Sequence, residues 1–598
     1  MRYLRELSTC AAAAVVFTGV HSSHAASRAH RRSAVPARAQ VKPIAAAAAP
    51  KLQRPLLRIT TQRYDIARTG QNLAETALTP KTVSASTFGK LFTREVDGYI
   101  YAQPLYIESL KIGKSLRNVV YVATQHNSVY AFDADDPKAS EPLWHVNFGP
   151  SVPSHDLDGG PWGDYNDIWP EIGITSTPVI DLETQSIFVV SKTKVNGQYA
   201  YNLHVLDIIT GKERKNSPVQ INPTADGTGD GAVNGKVPFD SLKELQRAAL
   251  LLVNGVVYIA FASHADFPPF HGWVIGYDAK TFERRGVFNT SPNGSGDGIW
   301  QSGGGLSSDG SGDFFAVTGN GTFDADTKGP DYGNCVMRFH PTSKGLTVTD
   351  WFAPYNQTDL TAGDHDLGSS CPLYIPDLNR IVAGGKGKVI YVLDAAKLGK
   401  FNPSGDTQIV QSFQGVTGHI HGAPIYWHGE TGPRIYIWSE YDHLKAYPYK
   451  AGQFDTTPSS MSPDVVPDGM PGGFLTISAN KNKKGSGIVW ASRPYLADAN
   501  RQTVAGLFQA YDAEDLSKVL WSSEDNPDRD RVGMFAKFNP PTVANGKVYL
   551  ATFSGELVVY GLHPPASTPD VPAPPANAPA PDAPAPAAPA PNAPAPGP

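Results

Sequence analysis

The chain has 598 residues, with 51 basic and 56 acidic side chains and a pI near 6.3, so it lacks the positive excess that a phosphate backbone attracts. Nucleic acid is therefore excluded as an expected partner. Charged residues make up only 18% while Gly (57) and Pro (51) are plentiful, which points to many short strands joined by turns and away from long solvated helices.

In chain order, residues 1–25 read as a secretory signal: a basic start, a short apolar stretch and small residues before a cleavage point near Ala25. The apolar stretch is too short to span a bilayer, and no later run reaches that length. Export to the periplasm, cell surface or medium is expected. Residues 26–57 form an Ala/Arg/Pro-rich linker, and residues 564–598 a Pro/Ala-rich tail without core-forming side chains, expected to be extended and solvated. After cleavage only Cys335 and Cys371 remain. An oxidising compartment permits them to pair, but one bridge is no scaffold for a body of this size.

Between these ends a hairpin pattern recurs. "NVVYVATQHNSVYAFDAD" returns in outline at "GVVYIAFASHADFPPFHGWVIGYDAK" and at "GKVYLATFSGELVVYGL". A four-stranded unit fits the first occurrence at 102–108, 119–124, 129–134 and 143–148. Similar units start near Thr177, Ala248, Gly303, Gly368, Gly422, Gly473 and Asn539, making eight. The last is short of one strand, whereas residues 88–98 form an orphan strand before the first. Pairing of 88–98 with 557–562 would close the ring and remove its exposed edges. The predicted fold is therefore all-β: an eight-bladed β-propeller over 58–563, closed by an N-terminal strand. A β-sandwich is the alternative. Against it stands the repeated acidic ending of the third strand in "YAFDAD", "LHVLDIITGK", "VIGYDAK", "IYVLDAAK" and "FQAYDAED", which stacked blades would keep and sandwich strands would not.

At these residues the chain resembles the pyrroloquinoline quinone (PQQ)-like repeat of the quinoprotein alcohol dehydrogenase superfamily. Asp133 with Trp144, Asp207 with Thr210, Gly211 and Lys212, and Asp512 with Trp521 match in part that repeat's acidic turn, Gly-Lys and docking Trp. Longer stretches, among them "VDGYIYAQPLY" and "PEIGITSTPVID", are similar to exported bacterial proteins of this propeller type. The resemblance implies PQQ and a divalent metal such as calcium in the central channel, and oxidation of an alcohol or sugar. There are departures. The chain has no adjacent cysteine pair, no C-x-x-C-H motif and hence no expected haem, and no readily placed Glu, Asn and Asp for calcium.

In a propeller the start of each inner strand and the loop between the second and third strands share one face, where function concentrates on a rigid scaffold. By that position His126, His264 and Asp366 are candidate bases. Gln103, Asn127, Arg247, Trp300, Gln301, Lys386, Lys537 and Asn539 are candidate cofactor contacts, with Trp300 offering a stacking surface. His419 and His421 in "GHIHG" alternate so that both rings share a strand face and suit zinc or copper, with His271, Glu440 and His443 as further candidate ligands. The rim also carries Thr175, Ser176, Gln246, Asp266, His365, Asp442 and Arg493. Any single histidine there more often bridges backbone than binds a ligand. The run "HDLDGGPWGDYND" does not have the spacing of a calcium loop and reads as solvated. "GIWQSGGG" opens a strand, so its glycines serve close packing and not phosphate binding. No G-x-S-x-G elbow is present.

Two functions remain open. One is an exported quinoprotein-type oxidoreductase acting on a small alcohol or sugar, monomeric and without a membrane span. The other is a non-catalytic propeller that binds a protein or glycan through its histidine-rich rim.

Overall fold

The computed structural model describes residues 55–157, 159, 163–467, 469–563 and 597. The expected signal, nearly all of the linker and the tail lie outside them, save Gly597 in the tail. Eight four- or five-stranded sheets follow one another along the chain as meanders. The first contains Leu105–Ile112, Ser115–Ala123, Ser128–Asp133 and Trp144–Asn147. The inner strands of later blades include Val179–Asp181, Leu251–Val253, Ser307–Ser308, Leu373–Ile375, Ile425–Gly429, Phe474–Ser478 and Thr542–Ala544, each within a few residues of its expected start. The eighth blade is completed by Phe88–Glu95, which lies antiparallel to Glu556–Leu562 from Phe88 opposite Leu562 to Glu95 opposite Glu556. The expected closure is present. Among the described residues no helix is long and apolar enough to cross a membrane.

The central strands of each blade are covered on both faces by neighbouring blades, so all six residues of Ser128–Asp133 are buried. Between blades 1 and 2, Val119, Tyr121 and Trp144 pack against Ile187, Val189 and Leu206. The acidic ending of the third strand has a local cause. Asp207 Oδ1 accepts the N–H groups of Ile209 and Thr210, and Asp133 Oδ1 those of Asp135 and Asp136. The same turn recurs at Asp278, Asp394 and Asp512. The side chain turns the backbone by mimicking a peptide carbonyl.

The sequence pattern did not announce the course of residues 57–73. This segment passes around the inner strands and bonds to every blade in turn. Arg58 and Ile59 pair with blade 1, and the Ile180 N–H of blade 2 donates to Thr60 O at 2.8 Å. Arg68 Nη2 donates to Leu250 O of blade 3 at 3.0 Å. Backbone N–H groups of Ser308, Tyr374, Tyr426 and Ile477, in blades 4 to 7, donate to Ile66, Ala67, Thr69 and Gly70. Asn72 Nδ2 reaches Val543 O of blade 8 at 2.9 Å. Gly70 needs to be glycine: its φ is +72°, and a Cβ would come within 2.5 Å of Ile425. Cys335 and Cys371 are both buried and unbridged.

Candidate functional site

A funnel of about 400 Å³ opens on the face where the inner strands begin. Arg247, Ser302, Ser369, His421 and Phe538 enter it from just before the inner strands of blades 3, 4, 5, 6 and 8. The loops between second and third strands add Asp266, Lys386, Glu440 and Asp498. The residue 57–73 segment meets the same inner strands further along, at Leu250, Leu306, Tyr374 and Tyr426, and so underlies the funnel.

Three charged groupings share this funnel. In the first, Lys386 Nζ lies 2.6 Å from Asp366 Oδ2 and 3.0 Å from Asp364 Oδ1, while Asp366 Oδ1 accepts the Asn320 N–H at 2.8 Å. Burial works against charge on Lys386, but the two carboxylates outweigh it and hold the ammonium above the ordinary lysine range. Asp266, open to the water of the funnel yet walled by protein, is pushed up to about 7 by desolvation and by nearby Asp366.

In the second grouping, Asp167 lies 3.4 Å from both Arg247 Nη1 and Lys537 Nζ, and Lys537 also donates to Asp167 O at 2.6 Å. Burial would raise the Asp167 carboxyl, but Lys537 and Arg247 prevail and hold it below its usual range. The Arg247 guanidinium sits 4.5 Å from the centre of the Phe538 ring and 5.9 Å from that of Trp300.

The third grouping is His419, His421 and Glu440. His421 Nε2 is 3.0 Å from Glu440 Oε1 and His419 Nδ1 is 3.4 Å from Glu440 Oε2. Burial lowers the His419 imidazole below its ordinary value.

Backbone strain gathers at the same place. Ala265, Asp266, Ser302, Asp364, Tyr441 and Phe538 line the funnel, and all have positive φ without being glycine.

Of the residues expected from sequence, the funnel thus collects Asp366, Arg247, Trp300, Lys386, His419, His421 and Glu440, with Lys537 behind Asp167. The others go elsewhere. His126 is exposed and pairs with Glu171 at 3.1 Å, outside the lining. His264 is buried behind Tyr165, whose hydroxyl meets its Nδ1 at 3.0 Å, and desolvation lowers it well below its ordinary value. Gln103 is used by the fold, accepting the Arg63 N–H and donating to Thr542. Asn127 donates to Lys192 O and Asn539 to Ala102 O. Gln301 is buried with both amide atoms unpartnered and does not line the funnel. His271 bridges Ser291 and Asp230 O in blade 3, and His443 meets Ser462 O, so neither joins the His419 group.

The acidic loop read as solvated delivers Asp167 into the site, a correction that burial between two cations explains. Its charge run was the only signal. Asp266 and Asp364 were legible only as acids beside rim histidines, and Asn320 carried no sequence signal at all.

No protein-family model and no curated protein matches the chain. Among solved structures, a europium-containing methanol dehydrogenase is 15% identical over 84% of this chain and 98% of its own, with a TM-score of 0.49. A quinohemoprotein alcohol dehydrogenase from Comamonas testosteroni is 12% identical over 85% of this chain and 80% of its own, with a TM-score of 0.48. Sqt1 of Saccharomyces cerevisiae is 8% identical over 80% of this chain and 100% of its own, with a TM-score of 0.46. At such values the strand pairing carries the assignment by itself: the chain is an eight-bladed β-propeller.

Proposed function

We propose that the protein is an exported oxidoreductase of the quinoprotein type, which takes an alcohol or sugar carbinol in the funnel and uses Asp266 and Asp366 to handle its hydroxyl proton. The observation that carries this reading is the contrast between the two carboxyls. Asp366 is held by Lys386 and Asn320, whereas Asp266 beside it titrates near 7, where a general base works best. Asp266 accepts the proton, and Asp366, fixed in place by its contact with Lys386, is the neighbour that favours this uptake. The clustered backbone strain supports it, since strained residues persist where a site is over-determined by its surroundings.

The lining suits PQQ with a divalent ion such as calcium. Trp300 and Phe538 offer aromatic faces, the Arg247 guanidinium would meet a carboxylate, and Asp364 and Asp366 supply hard oxygen donors beside the base. When bound, the quinone supplies the two-electron acceptor that no side chain here provides. Adding PQQ with calcium to stripped protein is expected to raise its melting temperature and confer dye-linked oxidation of an alcohol or sugar. An unmoved melting curve at every calcium concentration would sink the reading.

A second reading is favoured by charge. Asp164, Asp167, Asp266, Asp364, Asp366, Glu440 and Asp498 line the funnel, while Arg247 and Lys386 are already paired. Carboxylates so placed accept sugar hydroxyls, so a glycan held without turnover would also use this site. Sugar binding that persists with no dye reduction selects it.

A further inference from the structure

We propose that His419, His421 and Glu440 form a binding site for a divalent ion of the zinc class on the blade 6 wall of the funnel, separate from the Asp266 and Asp366 pair. An ion held at roughly 2.0–2.1 Å by tetrahedral ligands sets those ligands about 3.3 Å apart. Here the two imidazole–carboxylate separations are 3.0 and 3.4 Å, and one ligand atom from each of the three residues lies within 4.8 Å of the others. Little movement is needed to close them on an ion.

The hydrogen bonds behind the ligands point the same way. The Ser302 hydroxyl donates to Ser369 O at 2.6 Å, so its oxygen is left to accept from His421 Nδ1 at 3.4 Å. His421 Nε2 faces Glu440 at 3.0 Å, and outer contacts like the one at Nδ1 typically orient a metal-bound imidazole. The two ligand segments are also tied together. The Glu440 N–H donates to His419 O at 3.1 Å, and Gly418 lets the strands meet, since a Cβ there would come within 2.2 Å of Glu440 O.

Two nitrogen donors and one carboxylate select a borderline ion over calcium or magnesium. Three protein ligands leave a fourth position, and the funnel, which all three residues line, supplies the space for it. An ion there would bind a hydroxyl or carboxylate oxygen of whatever occupies the funnel.

The test uses the untagged full chain, stripped with chelator and titrated with zinc alone by calorimetry, with cobalt(II) absorption as a probe of tetrahedral coordination. One zinc per chain is expected, with a raised melting temperature and no displacement by millimolar calcium. His419→Ala, at a half-buried position, keeps the fold and is expected to weaken zinc at least tenfold and abolish the tetrahedral cobalt spectrum. Glu440→Gln is expected to do the same, and His126→Ala, outside the funnel, to leave binding unchanged. Absence of zinc binding, or binding unaltered by His419→Ala, overturns the proposal. No quinone enters the experiment, so its result is independent of the oxidoreductase reading.

Discussion

The indole of Trp144 in blade 1 lies against Gly211 of blade 2, where an added Cβ would come within 2.7 Å of the ring. Trp144 Nε1–H also donates to Ile208 O at 3.1 Å, so one residue pair joins the outer edge of a blade to the turn of the next. Gly211 has φ +69° besides. Gly211→Ala is therefore expected to destabilise through both strain and overlap, by about 1–3 kcal/mol. Trp144→Ala leaves a cavity and removes one of the two donors to Ile208 O, the other being the Tyr121 hydroxyl, and is expected to cost about 3–5 kcal/mol. Urea unfolding of both variants checks the order.

Arg68 tests the segment beneath the funnel. Its guanidinium is fully buried and donates to Leu306 O, Thr61 Oγ1, Gln62 O and Leu250 O at 2.7–3.0 Å. Arg68→Ala strands these acceptors, with an expected loss above about 3 kcal/mol. Deleting 59–98 should prevent folding, whereas truncation after His563 should leave the melting temperature near that of the intact chain. Equal losses in the two truncations would contradict the closure argument.

Turnover, if the proposed chemistry holds, has a rising limb with pH. Asp266 must be ionised to accept a proton, so activity grows as pH passes about 7, where burial and nearby Asp366 have pushed its carboxyl. Asp266→Asn is expected to remove that limb and lower turnover by about 10²-fold or more, while the melting shift on cofactor binding persists. A pH profile unchanged in this variant excludes Asp266 as the base.

Lys192 gives a pH effect on stability. Burial lowers its ammonium to about 7, against the pull of Asp240 and Glu244, while an unfolded lysine titrates near its ordinary 10.5. Between those values the unfolded chain binds more protons, so this residue makes stability rise with pH from about 7 to 10.5; below 7 the full cost of burying the charge remains. Lys192→Met is expected to flatten the curve in that window relative to the native chain. Denaturant midpoints across pH 6–10 for both proteins measure the difference.

The blades were legible because each hairpin repeats a strand alternation and an aspartate turn, and the orphan strand at Phe88 was legible because it has that same alternation without a partner. The segment around Arg68 was not. It spreads its bonds over all eight blades and lies on no single sheet, so neither period 2 nor period 3.6 marks it. The rim residues were equally legible as a set and unequal in fate. His126, between the second and third strands of blade 1, and His421, just before the inner strand of blade 6, were read onto one rim, yet one ends beside a half-buried Glu171 and the other beside buried Glu440. Partners contributed by another strand or blade decide the outcome, and a linear pattern of one blade does not contain them.

Tyr64 and Val543 are 479 residues apart in the chain and share a hydrogen bond at 2.6 Å. The first strands to be synthesised are therefore among the last to be seated, because the acceptors and donors of blade 8 do not exist until the chain is nearly complete. Contacts of such separation slow folding, since loop-closure entropy must be met before they form. Until then Phe88–Glu95 lacks its partner Glu556–Leu562 and the ring is open at that edge. The same arrangement gives the finished ring a late lock: its seam and its centre are secured together, and a chain stopped short of blade 8 has neither.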